Sequence, residues 1–208
     1  MEFIVYLLLI LTSTVGLAFV IERGLALRWR KVVPPEVESA VESCQSPEDV
    51  PMLRRVCKQH DSAISRLLLL AAEHLDWPQA ETTGALQTRA RHEIARLERG
   101  LVVLEIIVGI APLLGLVGTI LGMMRLFGNI GQRGLAEAGL LAQGIALILN
   151  TTLMGLLIAI PSLIFWSYYT KKVETLAVEM ETLCDEFVRR QYRGEGAIPV
   201  EEATRAKS

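Results

Sequence analysis

Between residues 101 and 170 the chain holds two long apolar runs, broken almost only by glycines and hydroxyls. The first is Ile110-Ala-Pro-Leu-Leu-Gly-Leu-Val-Gly-Thr-Ile-Leu-Gly-Met123 and the second Gly144-Ile-Ala-Leu-Ile-Leu-Asn-Thr-Thr-Leu-Met-Gly-Leu-Leu-Ile-Ala-Ile-Pro161. About 20 helical residues at 1.5 Å rise cross the roughly 30 Å hydrocarbon core of a bilayer, and each run together with its apolar flanks has that reach. Threonines sit inside both, where a helix that only anchors a protein needs none. The pattern points to membrane helices that line something polar.

A hydrophobic share of 51% and a mean hydropathy of +0.39 are too apolar for a typical water-soluble domain of 208 residues. Charge crowds into residues 22–100 and 171–208, and the net charge of -2 argues against nucleic acid as a partner. Cys44, Cys57 and Cys184 lack C-x-x-C pairing and read as free reduced thiols on the cytosolic side. A third apolar segment, residues 3–21, begins beside Glu2 rather than a basic stretch. It runs into Glu22-Arg23 without a small-residue cleavage site, so it reads as an uncleaved first span.

Basic residues set the expected orientation. Arg23, Arg28, Arg30 and Lys31 follow the first span, Arg89, Arg91, Arg96 and Arg99 precede the second, and Lys171 and Lys172 follow the third. The connection between the second and third spans carries Arg133 alone. The positive-inside rule then predicts N-out and C-in, with 22–100 and the C-terminal part in the cytoplasm. The expected fold class is an all-α, multi-pass membrane protein with three transmembrane helices. The expected layout is a first span over 1–22, a cytoplasmic helical section over 23–100 and a second span over 101–127. A periplasmic hairpin follows over 128–138, a third span over 139–170, a cytoplasmic helix extension over 171–193 and a disordered tail over 194–208.

Within the cytoplasmic section, Pro34-Pro35 predicts a break followed by a short helix over 36–44. Ser46-Pro47-Glu48 reads as a cap with proline at the first helical position. Asp61 is the expected cap of a helix with Ile64, Leu67, Leu68 and Ala71 on its apolar face, ending at Trp77-Pro78. A long helix from about Thr82 is expected to run through Ile94, Leu97 and Leu101 into the second span. Val173, Leu176, Ala177, Met180, Leu183, Cys184 and Phe187 keep helical spacing beyond the third span, an amphipathic extension that packs on a neighbour.

Ala111, Gly115, Gly118, Thr119 and Gly122 share one face of the second span. Gly144, Thr151, Thr152, Gly155, Ala159 and Ser162 share one face of the third. Close helix packing accounts for the glycines. The threonines are ambiguous, because a hydroxyl can bond back to its own helix; the sharper reading makes Thr119, Thr151 and Thr152 an ion pathway, with Thr119 and Thr152 facing a wet interior. Asn150 lies nearly opposite Thr152 and suits a subunit contact. Pro112 and Pro161 free backbone carbonyls and are candidate kinks. Glu105, near the cytoplasmic end of the second span, is satisfied by a solvated mouth or a salt bridge. Enzyme signals are poor: His92-Glu93 opens an H-E-x-x pattern, but position 96 is arginine, so the zinc motif fails. His60 and His74 have no ligand-spaced companions, and no metal, cofactor or catalytic residue is expected.

At these residues the sequence resembles the MotA/TolQ/ExbB proton channel family, nearest to the ExbB/TolQ branch. The resemblance rests on Glu22-Arg23 closing the first span, on the Ala111–Met123 motif, and on Gly144-Ile-Ala, Asn150-Thr-Thr, Gly155 and Ala-Ile-Pro161. It implies a homopentamer around the membrane helices of a dimeric ExbD/TolR/MotB-like single-span protein. That partner's membrane aspartate would carry the proton, with Thr119 and Thr152 as channel threonines. It implies the bacterial inner membrane and a TonB-like or TolA-like energy transducer. The chain departs from the family pattern at Leu147, where many ExbB and TolQ proteins carry a glutamate. Either that acid is dispensable, or the proton route differs, or the chain is a distant paralogue. A non-conducting scaffold and a flagellar-type MotA-like stator are the alternatives, and proton against sodium coupling stays open. The small cytoplasmic section favours the ExbB/TolQ side over flagellar stators. Which process is powered (siderophore uptake, envelope maintenance, polysaccharide transport, motility or defence) is not legible.

Overall fold

The computed structural model describes residues 2–133 and 138–195, and every regular element among them is helical. In chain order these are α1 (Glu2–Ala26), α2 (Trp29–Val32), α3 (Pro35–Ser43), a 3₁₀ turn (Pro47–Asp49), α4 (Val50–Gln59), α5 (Ala63–Glu73), α6 (Gln79–Glu98), α7 (Leu101–Arg133) and α8 (Ala138–Glu195). Three helices are long and apolar enough to cross a bilayer: α1 from Phe3, α7 from Leu101 to Gly128, and the part of α8 that begins at Gly144. The chain divides into two compact units, residues 1–25 with 98–171 and residues 26–97 with 172–208; α8 supplies residues to both.

The first unit is made of α1, α7 and the apolar part of α8. Its interior is thin, formed by Val5, Leu9, Leu101, Leu104, Ile107, Ala111, Ile148, Ala159 and Tyr169. Large apolar side chains such as Phe3, Ile10, Leu113, Ile120, Leu157 and Ile164 point outward, as suits helices whose solvent is lipid. Several hydroxyls within the spans bond the backbone of their own helix. Thr12 donates to the Leu8 carbonyl at 2.7 Å, Thr14 to Ile10 at 2.8 Å and Ser162 to Ile158 at 2.8 Å, which removes the cost of a bare hydroxyl in hydrocarbon.

The second unit has a conventional water-soluble core. The face of α8 that carries Val173, Leu176, Met180, Leu183, Cys184 and Phe187 is buried. From Leu176 to Phe187 it packs with Val37 and Val41 of α3, Leu53 and Cys57 of α4, Ile64, Leu67 and Leu68 of α5 and Leu86 of α6. Each such side chain removed from water contributes about 1.5–3 kcal/mol, which is what holds these short helices together. Side-chain to backbone bonds fix the loops. Arg190 donates to the Val41 carbonyl at 3.1 Å, Arg54 to the Ala72 carbonyl at 2.6 Å, and the Tyr192 hydroxyl to the Trp77 carbonyl at 2.7 Å.

Local signals hold in part. Ser46 and Asp49 form a reciprocal capping box around Pro47, as the Ser-Pro-Glu reading requires. The cap of α5 is Ser62, not Asp61: the Ser62 Oγ accepts from the Ser65 amide at 3.2 Å, while the Asp61 carboxylate pairs with Arg66 at 2.5 Å. Helix α5 stops at Glu73, before Trp77-Pro78, and Pro78 instead starts α6 by accepting the Glu81 amide at 2.9 Å. The helix expected to run unbroken from Thr82 past Leu101 is interrupted at Arg99-Gly100. Gly100 is buried, and a Cβ there would collide with the Arg23 guanidinium, so the break is where the arginine lies across the backbone. Helix α7 continues to Arg133, past the expected boundary at 127, because the end of an apolar run marks exit from hydrocarbon rather than loss of backbone bonding. Of the expected hairpin, 134–137 lies outside the described residues; of the expected tail, Gly194 and Glu195 are helical and 196–208 lies outside.

One buried charge cluster crosses the second unit. Glu93 on α6 has a side chain only 4% exposed and receives Arg66 of α5 in a two-pronged pair at 3.0 and 2.7 Å, with Arg89 at 3.3 Å. Burial alone would raise its pKa, but the Arg66 bonds and charge, with Arg89 and Arg96 nearby, more than offset that and hold the carboxyl below its ordinary value. All three cysteines are free and buried, and burial pushes the Cys57 thiol up to about 11. Folded protein at pH 8 is therefore expected to react with a thiol reagent at least a hundredfold more slowly than denatured protein. Rapid labelling of all three before unfolding would contradict this core.

Candidate functional site

The spacing of α7 and α8 in the first unit is set by glycine against backbone. A Cβ built on Gly155 would stand 2.6 Å from the Ala111 carbonyl oxygen and 3.2 Å from the Gly115 Cα. One built on Gly115 would stand 2.9 Å from both the Thr151 carbonyl oxygen and the Thr152 Cα. Gly118 lies against the Thr151 side chain, Gly122 against Ile148, and Gly144 against Leu126. These residues let two main chains meet with nothing between them, which maximises dispersion contact where water supplies no hydrophobic drive.

Three threonines lie at this seam and their hydroxyls are aimed differently. Thr151 is 4% exposed and donates to the Ile148 carbonyl at 2.7 Å, with the Gly115 carbonyl at 3.5 Å. Thr152 is partly exposed and donates across to the Gly115 carbonyl at 3.3 Å. Thr119, also partly exposed, donates to the Leu116 carbonyl at 2.7 Å. Thr119 and Thr152 therefore rest on consecutive carbonyls of α7, at one level of the membrane. A hydroxyl has a single proton, so each now presents only oxygen lone pairs to its surroundings. What approaches there must be a donor: water, a hydrated cation, or a carboxylic acid in its protonated form.

No Asp, Glu, Lys, Arg or His stands between Ile106 and Met124 or between Ala138 and Thr170. The seam thus has acceptors but no titrating group. The MotA/TolQ/ExbB proton channel family matches residues 59–182, more than half of the chain. The chain belongs to that family. An ExbB-like 1 protein of Synechocystis sp. is 35% identical over 75% of this chain and 63% of its own length. An ExbB homolog of Methanothermobacter thermautotrophicus is 30% identical over 69% of this chain and 51% of its own. The biopolymer transport protein ExbB of Aquifex aeolicus is 33% identical over 42% and 59%. The chain thus spans between about half and two thirds of the length of these relatives.

In this family member Pro112 and Pro161 lie inside α7 and α8. Asn150 is partly exposed on α8, in a shallow depression shared with Ala146, Leu147, Leu149 and Leu153. Leu147 is 58% exposed, so its side chain lies mostly outside this chain's own packing. Glu22 and Arg23, closing α1, pair with each other at 2.5 and 2.6 Å. Glu105 is exposed near the start of α7.

Two positions that hold α1 in place escape a reading by periodicity. The Tyr169 hydroxyl of α8 donates to the Val20 carbonyl of α1 at 2.9 Å, and a Cβ on Gly24 would meet that same hydroxyl oxygen at 2.9 Å. Gly16 of α1 packs on Ile107 and Ser162. A glycine one turn beyond a span's centre, or beside its closing charge, is the only local sign of such a contact. Its partner is more than 90 residues away.

Proposed function

We propose that the chain is the proton-conducting wall of an inner-membrane motor. Copies of it, five by the family resemblance, would ring the membrane helices of a dimeric single-span partner of the ExbD/TolR type. N-out and C-in, as the basic residues imply, such a ring turns proton entry into work on periplasmic or outer-membrane components through a TonB-like or TolA-like transducer. The observation that carries the reading is the pair of acceptor-only hydroxyls, Thr119 and Thr152, at one level of stretches, 106–124 and 138–170, that hold no acid of their own. The titrating carboxyl then belongs to another polypeptide. While charged it is repelled by lone pairs, and once protonated it donates to them, so protonation frees its helix to move past the wall. One charge crossing the potential supplies about 2.3 kcal/mol per 100 mV, the work each step draws on. The partly exposed Asn150 amide suits a hydrogen bond between neighbouring subunits, since a bare amide in lipid is costly.

The test is Thr152→Val, which keeps shape and deletes the hydroxyl. In the complex with its single-span partner, reconstituted in vesicles, proton flux is expected to fall at least tenfold while assembly is unchanged. Flux equal to the unsubstituted complex would refute the pathway, and an absence of flux from both would favour a non-conducting scaffold.

A further inference from the structure

Glu105 stands about 6 Å along α7 from Leu101, inside the stretch that is apolar enough to span a bilayer. Its carboxylate makes no ion pair and no hydrogen bond among the described residues. An acid at such a place is costly unless water reaches it. It lies on one stripe of α7 with Gly109, Pro112, Leu116 and Thr119, all within about 80° of arc at 100° per residue and spanning about 21 Å along the axis. Glu105, Gly109 and Leu116 on this stripe are exposed, Pro112 and Thr119 partly so, and only Thr119, at its upper end, borders the Gly115–Gly155 seam.

Two features make the stripe passable to a proton. Pro112 has no N–H, so the Val108 carbonyl, one turn below, loses its helical donor and is left as a free acceptor. Nothing lies within 4 Å of where a Cβ on Gly109 would be, so the stripe is open at that level. From the level of Thr119 downward the face offers, in order, a hydroxyl oxygen, a bare carbonyl and a carboxylate. Each can hold water by accepting from it.

We propose that Glu105 is the inner proton acceptor of the pathway, receiving at the cytoplasmic mouth the proton that leaves the partner's membrane acid. This rests on the channel reading given above. The O–H bond of the partner's carboxylic acid breaks, the excess proton moves through waters held at Thr119 and the Val108 carbonyl, and an O–H bond forms on Glu105. Glu105 then loses that proton to cytoplasmic water and is ready again. No oxidant or co-reactant is needed.

The experiment measures proton flux through the complex with its single-span partner in vesicles, with the inner pH varied. Glu105→Gln is expected to lower flux at least tenfold with the complex intact on size exclusion. Glu105→His is expected to restore flux at inner pH 7.5 and to move the inner pH of half-maximal flux upward, since an imidazole holds a proton to higher pH than a carboxyl does. A role in packing alone would not move that midpoint. Wild-type flux from Glu105→Gln, beside a dead Thr152→Val, overturns the assignment of Glu105 and leaves the channel standing. Equal loss in the Gln and His variants of an intact complex overturns it as well, and no flux from the unsubstituted complex removes both readings.

Discussion

Gly155→Ala is expected to lower the melting temperature of the detergent-solubilised protein by about 5–10 °C. The added methyl would stand 2.6 Å from the Ala111 carbonyl oxygen and 3.2 Å from the Gly115 Cα. Both are backbone atoms, so no rotamer change relieves the clash and α7 and α8 must separate. Overpacking of this kind costs about 1–3 kcal/mol, and for a chain of this size each kcal/mol moves Tm by about 2–4 °C. Gly155→Val, with two further methyls, is expected to abolish a monodisperse product. Gly84→Ala is the matched control: it lies on exposed α6 with nothing within 4 Å, so alanine there stabilises by up to about 1 kcal/mol. Equal melting temperatures for the Gly155 and Gly84 variants would mean that the seam does not set the helix spacing.

The second large effect lies in the charge cluster of the other unit. Glu93→Gln leaves Arg66 with one full partner, the exposed Asp61, and is expected to destabilise by about 2–4 kcal/mol. That figure stands below the loss for a fully buried pair because Arg66 is a quarter exposed. The pH dependence has a definite sign. The folded-state pKa of Glu93 is held below its unfolded value, so its contribution is complete above the unfolded value near 4.5 and is lost as pH falls through the folded one. Between pH 7 and 5 the wild type and Glu93→Gln should differ by a constant amount. Below about pH 4 the gap should close, because the wild type loses what the variant never had. A gap that widens on acidification would show that the carboxylate is not the stabilising form. Pairing Glu93→Gln with Arg66→Met should recover part of the loss, since the orphaned charge goes as well.

The spans were legible because a bilayer demands about 20 apolar residues in a row, and nothing in the fold can override that demand. The buried face of α8 was legible for a related reason: Val173, Leu176, Met180, Leu183 and Phe187 repeat at helical spacing, and all five are buried. Contacts between distant parts of the chain were not. Glu93 reads as half of a failed zinc motif until Arg66, 27 residues earlier, is seen to hold it. Asp61 and Ser62 are both good caps on paper, and the choice between them was made by Arg66, which draws the carboxylate away. Gly100 interrupts a helix that Thr82 to Leu101 could otherwise continue, since a lone glycine is tolerated mid-helix unless something lies on it, and here Arg23 does. Threonine orientation shows the same limit. Thr151 and Thr152 are adjacent and chemically identical, yet one is sealed at 4% exposure and the other reaches the open edge of the seam.

The meeting of Gly155 with Ala111 and Gly115 also bears on which part of the proposed motor is free to turn. Side chains that interlock can ratchet from one notch to the next, whereas two bare main chains in register have no notch to move into. Such a pair behaves as welded plates, seated or torn apart, with no intermediate positions. In the ring proposed above, movement would then fall between copies or between the ring and its partner, and not within the α7–α8 pair of one chain.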